Sequence, residues 1–138
     1  MLGFIDGCCI FAHSKKGSTQ VPVADSTAHS ESGAIFQGAK YGKYIDNWLN
    51  FIKDWIVLKT PIIILNDNKS AIQIMSSYTN SGRSKHFDVQ LFYVRNLVEY
   101  KFIEILYVKS IDNKADMLTK PLPYPLLKIF TSALFLCW

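Results

Sequence analysis

Pro61 opens a run, Ile62-Ile63-Ile64-Leu65, that restricts the possible folds of this chain more than any other segment. β-Branched side chains are stiff at χ1 and suit a pleated surface better than a helix. A continuous apolar run without polar alternation is the pattern of a central strand buried on both faces. Asn66-Asp67-Asn68 ends the run, and Asn68 is placed to cap a helix with Ala71, Ile72 and Met75 on its apolar face. A strand of this kind needs covering, so the flanking segments should supply helices.

Both flanks carry the expected period. Upstream, Ile45, Trp48, Leu49, Ile52, Trp55 and Ile56 recur at helical spacing. Asp25-Ser26-Thr27 offers N-cap oxygens to an earlier helix, and Gly42 is expected to break the two apart. Downstream, Phe87, Leu91, Val94 and Val98 form a second amphipathic stripe after the loop Asn80–Ser84. At the start of the chain, Leu2–Ile5 and Cys8–Ala12 predict a hairpin joined at Asp6-Gly7. A polar link from Ser14 to Gln20 leads to an extended Val21-Pro22-Val23. Phe102–Val108 predicts another strand, and Ser110 or Asp112 should cap a short helix through Asp116 that Pro121 stops. Strands and helices in this order predict an α/β fold, a mixed β-sheet flanked by helices.

Length and composition agree with one compact domain. The chain has 138 residues, 49% of them hydrophobic and 19% charged, which excludes a disordered polar segment. A net charge of +4 permits a polyanionic partner without requiring one. Cys8, Cys9 and Cys137 make no CxxC or Cys/His zinc pattern, and their odd number without a signal peptide predicts a reducing compartment. The expected location is therefore cytoplasmic or nuclear, not secreted. The apolar end, Ala133 to Trp138, is far shorter than the roughly 20 residues a membrane helix needs, so no membrane partner is expected.

Three acidic residues stand where a metal site could form. Asp67 follows the end of the apolar strand, where open α/β sheets place their ligand-binding edge. Glu31 falls early in the first helix and Asp116 in the short late one. Carboxylate oxygens suit Mg²⁺, and two such ions about 4 Å apart can activate water and stabilise a leaving oxygen. Each residue also has a plainer explanation. Asp67 can be a turn residue, and Glu31 and Asp116 can each complement a helix N-terminus. Spacing alone does not bring the three together.

Four blocks carry a family likeness. Val23-Ala24-Asp25-Ser26-Thr27-Ala28-His29-Ser30-Glu31 and Asp67-Asn68-Lys69-Ser70-Ala71-Ile72 are the first two. Ser84-Lys85-His86-Phe87-Asp88-Val89 and Lys114-Ala115-Asp116-Met117-Leu118-Thr119-Lys120-Pro121-Leu122-Pro123 complete the set. In this order and spacing they resemble the ribonuclease H domain of copia-type LTR retrotransposon Pol polyproteins, over about residues 7 to 123. The likeness implies a partial ribonuclease H-like domain over 1–123, followed by an apolar C-terminal tail over 124–138. It implies metal-dependent hydrolysis of the RNA strand of RNA–DNA hybrids, with Glu31, Asp67 and Asp116 as catalytic carboxylates that bind Mg²⁺, or Mn²⁺ in its place, from one edge of the sheet. Lys15, Lys16, Arg83, Lys85 and His86 become the expected phosphate contacts, since hybrids are read mainly through backbone and 2′-OH groups. The hybrid and the rest of the Pol polyprotein, reverse transcriptase and integrase, are the expected partners.

The likeness also implies a fourth carboxylate, an Asp on the family's first strand. Gly7 to Lys16 resembles the third strand of that family, so the first strand is expected to be missing and the chain inactive by itself. Ser32 stands where the family has Tyr, Gln90 where it has Arg, and Gly33 costs a helix interior about 1 kcal/mol. The rival expectation is a non-catalytic nucleic-acid-binding or unstable retrotransposon-derived fragment.

Overall fold

The computed structural model describes residues 1–5, 8–14, 27–51, 61–77 and 85–134. Two compact units form, Met1–Ser18 with Lys109–Trp138 and, between them in the chain, Thr19–Val108. The class is mixed α/β, with four helices and two small two-stranded sheets among the described residues. Among the described residues the strands form two two-stranded ladders, where the sequence predicts one mixed sheet. The reason lies in the backbone bonding: the N-terminal strands pair with each other, and the later strands likewise.

The larger unit is built on a parallel pair, β3 (Ile62–Asn66) and β4 (Ile103–Tyr107), with Ile62 opposite Ile103 and Asn66 opposite Tyr107. Parallel neighbours cannot be joined by a tight turn, so a long crossover must separate them. Here the crossover holds α2 (Lys69–Ser76) and α3 (Lys85–Glu99). With the preceding α1 (Thr27–Phe51) these helices enclose one core. It consists of Ile35, Ala39, Ala71, Met75, Leu91, Val94 and Ile103, and Ile62, Ile64 and Ile105 of the sheet pack against it.

The expectation that β3 is buried on both faces is corrected. Ile62, Ile64 and Asn66 face the helices, whereas Ile63 and Leu65 are 47% and 57% exposed. Leu106 of β4 lies in register with Leu65 and is likewise exposed. Side chains alternate across a strand, and the described helices cover one side only.

Helix α1 also departs from expectation, because it continues through Gly42 without a break. Its buried positions are Ala28, Ser32, Ile35, Ala39, Gly42, Asp46 and Leu49, at alternating steps of four and three. That period keeps one face of a helix inward. Trp48, assigned to the apolar stripe by spacing, is 60% exposed. Much of the buried stripe is small or polar, so hydrophobic periodicity does not reveal it. Gly42 faces β3, where a Cβ would stand 3.4 Å from Ile62 Cδ1, an ordinary van der Waals contact. The continuation of the expected stripe at Ile52, Trp55 and Ile56, the segment Val21–Val23 and the caps Asp25 and Ser26 lie outside the described residues.

Two further termini show local chemistry at work. Asn68 caps α2 as expected, its side chain accepting from the Ala71 N–H at 3.1 Å. Helix α3 ends with Phe102 N–H donating to Leu97 O and Lys101 N–H to Val98 O, each at 2.9 Å. This is a Schellman closure with Lys101 at the left-handed position, φ 53°.

In the smaller unit, β1 (Leu2–Ile5) and β2 (Cys8–Ala12) form the expected antiparallel hairpin, with an irregularity between Gly3 and Phe4. Its linking Asp6-Gly7 lies outside the described residues. Cys8 is disulfide-bonded, and Cys9 is a free thiol. The late short helix is two 3-10 turns, Ser110–Asp112 and Lys114–Leu118, followed by α4 (Tyr124–Leu134). Asn113 caps the second turn, in place of Ser110 or Asp112, by accepting from the Ala115 N–H at 3.2 Å. None of the described helices is long and apolar enough to cross a membrane.

Two substitutions test this account of the backbone. Gly33 sits inside α1 with open space where a Cβ would be, so Gly33→Ala should stabilise the fold by about 1 kcal/mol through helix propensity. Lys101→Gly should also stabilise, by up to about 1 kcal/mol, because it removes the cost of a left-handed L-residue. Urea unfolding of each variant measures both, and a loss of stability in either would contradict the backbone assignment at that position.

Candidate functional site

The end of β3 carries the best-organised polar cluster of the larger unit. Asn66, the last strand residue, is 7% exposed and points to the helix-covered side. Its Nδ2 donates to Glu31 Oε2 at 3.1 Å, linking β3 to the first turns of α1. Its Oδ1 accepts from the Asn68 N–H at 2.8 Å, closing a turn around Asp67. Asp67 is half-buried within that turn, one residue beyond the strand. Glu31 and Asp67 are thus both held around a single strand end, Glu31 directly and Asp67 through its backbone.

Asp116 belongs to the smaller unit. It is 8% exposed, and both carboxylate oxygens are engaged. Lys120 Nζ donates to Oδ2 at 2.7 Å, and Asn113 Nδ2 donates to Oδ1 at 3.2 Å. Its backbone oxygen accepts from the Thr119 and Lys120 N–H groups. Lys120 is the counter-ion of this buried carboxylate.

These side chains are the right donors for a hard cation, since carboxylate oxygen is what Mg²⁺ takes from proteins. Glu31 keeps its second oxygen outside the Asn66 bond. The assembly differs from the chemistry: among the described residues, no three His, Cys, Asp or Glu side chains gather closely enough to hold a metal ion. Of the expected phosphate contacts, Lys15, Lys16 and Arg83 lie outside the described residues, as do the side chains of Lys85 and His86. The backbone at Lys85 and His86 opens α3. Gln90 is half-buried on that helix, and Ser32 is fully buried, its Oγ donating to Ala28 O at 2.7 Å.

Asn66, Asn113 and Lys120 were not singled out as site residues by the sequence. Asn66 read as a strand terminator, although a polar residue in phase with the buried Ile62 and Ile64 is a signal for a required hydrogen bond. Asn113 precedes Asp116 by three residues and Lys120 follows it by four, spacings that place side chains near one another on a turn.

Comparison with known proteins adds an independent observation. The chain is 30% identical to the Retrovirus-related Pol polyprotein from transposon TNT 1-94 of Nicotiana tabacum over 77 residues, covering 55% of this chain and 6% of that protein. It is 31% identical to the Pol polyprotein from transposon RE1 of Arabidopsis thaliana over 77 residues, 56% of this chain and 5% of the relative. It is 28% identical to the Transposon Ty1-DR5 Gag-Pol polyprotein of Saccharomyces cerevisiae over 110 residues, 78% of this chain and 6% of the relative. The chain is distantly and partly similar to copia- and Ty1-type Pol polyproteins. It spans about a twentieth of the length of these curated relatives. No family model matches, and no solved structure matches.

The Asp116 knot makes a graded prediction. Lys120 is about half exposed, so Lys120→Met should cost no more than about 1 kcal/mol, as for other solvent-screened pairs. Asn113→Ala removes a cap as well as a bond to a buried carboxylate and should cost about 1–2 kcal/mol. Thermal unfolding that ranks the two in the opposite order would assign the larger role to the ion pair.

Proposed function

We propose that this region is the ribonuclease H part of a retrotransposon Pol polyprotein and acts on the RNA strand of RNA–DNA hybrids. The observation that carries the reading is the set of four sequence blocks, ending in Ala115-Asp116-Met117-Leu118-Thr119-Lys120-Pro121, in family order. Similarity to polyproteins named as Pol supports it. The α/β class and the polar cluster at the end of β3 are consistent with it.

In this reading Glu31, Asp67 and Asp116 would hold Mg²⁺, or Mn²⁺ in its place. When bound, the metal supplies activation of water and charge stabilisation at the leaving oxygen. The chain's own contribution is to fix carboxylate positions: Asn66 restrains Glu31, and Asn113 with Lys120 restrains Asp116. Lys15, Lys16, Arg83, Lys85 and His86 would contact phosphates, which position a duplex without reading its sequence. The reverse transcriptase and integrase parts of the polyprotein would be its partners, in the cytoplasm or nucleus.

A second reading, a segment that binds nucleic acid without cleaving it, draws on one specific feature. Asp116 has both oxygens taken by its own neighbours, and no trio of metal-ligating side chains is gathered among the described residues. The family likeness also implies a fourth carboxylate, and no residue of the chain resembles it.

Cleavage of a labelled RNA–DNA hybrid separates the two. The chain by itself should show no robust turnover with Mg²⁺ or Mn²⁺, because an under-ligated metal loses the geometry on which the chemistry depends. Joined to a family-like strand carrying Asp, it should cleave, and Asp67→Asn should abolish that cleavage. A joined protein that folds and binds hybrid without cleaving it would reject the nuclease reading in favour of the second. Robust turnover by the chain alone would reject the need for a fourth carboxylate.

A further inference from the structure

We propose that the outward face of α1 is an interface between two copies of this chain, which pair antiparallel through Tyr44, Trp48 and Phe51. This surface goes beyond the nuclease reading and stands whether or not the chain cleaves hybrids.

Helix α1 carries two stripes. One is the buried line from Ala28 to Leu49 that packs on the rest of its unit. The other runs from Ser30 through Gln37 and Tyr41 to Tyr44, Trp48 and Phe51, again at alternating steps of four and three. The helical repeat puts the two lines on opposite sides. An outward face is ordinarily polar, and the first half of this one obeys, with Ser30, Ala34 and Gln37 all exposed. The second half does not. Tyr44, Trp48 and Phe51 are 69%, 60% and 89% exposed, and the half-buried Tyr41 extends their line. A single exposed apolar side chain is ordinary, whereas several large ones in one line make a patch of the kind that marks an interaction site.

Steps of three and four form the seam that a second helix fills, knob into hole. Three features favour another copy of this chain as that helix. The first is self-complementarity. Antiparallel pairing about a two-fold axis sets Tyr44 against Trp48 of the second copy, and Tyr41 against its Phe51. Each ring then meets another ring, in the offset or edge-to-face manner that aromatic pairs prefer.

The second feature is charge. Lys40 is exposed beside the stripe, and α1 has no basic residue in its last turn among the described residues. Antiparallel pairing brings Lys40 next to the last turn of the other helix, where a cation complements the negative end of the dipole. Parallel pairing would set Lys40 against Lys40. Lys43 does not charge the seam, because it is drawn to Asp46 at 3.4 Å and to the Phe102 ring at 4.2 Å. A nucleic-acid strand stacked on these rings would call for cations along its path, and of these two lysines only Lys40 stays at the stripe.

The third feature is area. Aromatic side chains bury about 150–250 Å² each, so the three exposed rings offer on the order of 400 Å² per copy. With their flanking side chains, two copies together reach roughly 1,000 Å², the low end of specific interfaces. A weak, reversible dimer follows.

Sedimentation equilibrium of the full chain over a concentration series tests this, with thermal unfolding in parallel. The wild-type chain should form a dimer with a micromolar dissociation constant. Tyr44→Gln and Trp48→Gln change exposed side chains, so both should stay folded and weaken the dimer by about 30-fold or more, the scale of an interface hot spot. Lys40→Glu should weaken it several-fold, and less at high salt. Leu65→Gln, on the exposed side of β3, should leave it unchanged. A chain that stays monomeric up to about 1 mM would overturn the proposal. So would a dimer that survives Trp48→Gln or is lost in Leu65→Gln. A dimer indifferent to Lys40→Glu would overturn the antiparallel arrangement. A labelled single-stranded oligonucleotide is the second probe: binding by a monomeric chain that Trp48→Gln abolishes would give the stripe to stacked bases instead.

Discussion

The parallel pairing of β3 with β4 is the constraint from which the larger unit follows. Two parallel strands need a crossover, and a two-stranded sheet is marginal without helices on it. The segment between the strands supplies α2 and α3, and α1 joins them around Ile35, Met75, Leu91, Val94 and Ile103. The same pairing delivers the ends of both strands side by side, with Asn66 opposite Tyr107. The polar cluster at that end exists because an apolar strand and its buried phase stop there together.

Burial then decides how polar groups are used. Ser32, Asn66 and Asp116 are all buried, and each is bonded to a group of its own unit. Ser32 returns its hydroxyl to the helix backbone, a local solution that lets a small residue sit in the close interface of α1. Asp116 is neutralised by Lys120 and held by Asn113 within a short turn. Asn66 is different in kind, since its bond to Glu31 reaches across elements. Long-range bonds restrain tertiary geometry, whereas local ones restrain only a turn.

Much of the architecture was legible in the residues. The bounds of β1 and β2, the β-branched strand, the Asn68 cap and the amphipathic α3 all follow from local pattern. Such features depend on neighbours in sequence, where period and capping chemistry act directly. The continuous α1 was not legible. Gly42 reads as a breaker because its propensity is poor, yet it lies on the buried face of a continuous helix, and tertiary packing outweighs propensity. Trp48 failed for a related reason: size and hydrophobicity mark a residue for burial, but the inward face of α1 is set by small groups that allow close approach.

The sequence by itself determined the α/β class, the strand and helix types in most segments, and the three carboxylates that a family likeness picks out. Those properties are written in side-chain chemistry and short-range spacing. Only the tertiary structure decided which face of β3 is covered, that Asn66 reaches Glu31, and that Lys120 and Asn113 take up both oxygens of Asp116. These depend on which surfaces meet once the chain has folded. A hydrogen bond between residues 35 positions apart leaves no periodic trace, because neither partner's type is dictated by its own neighbours.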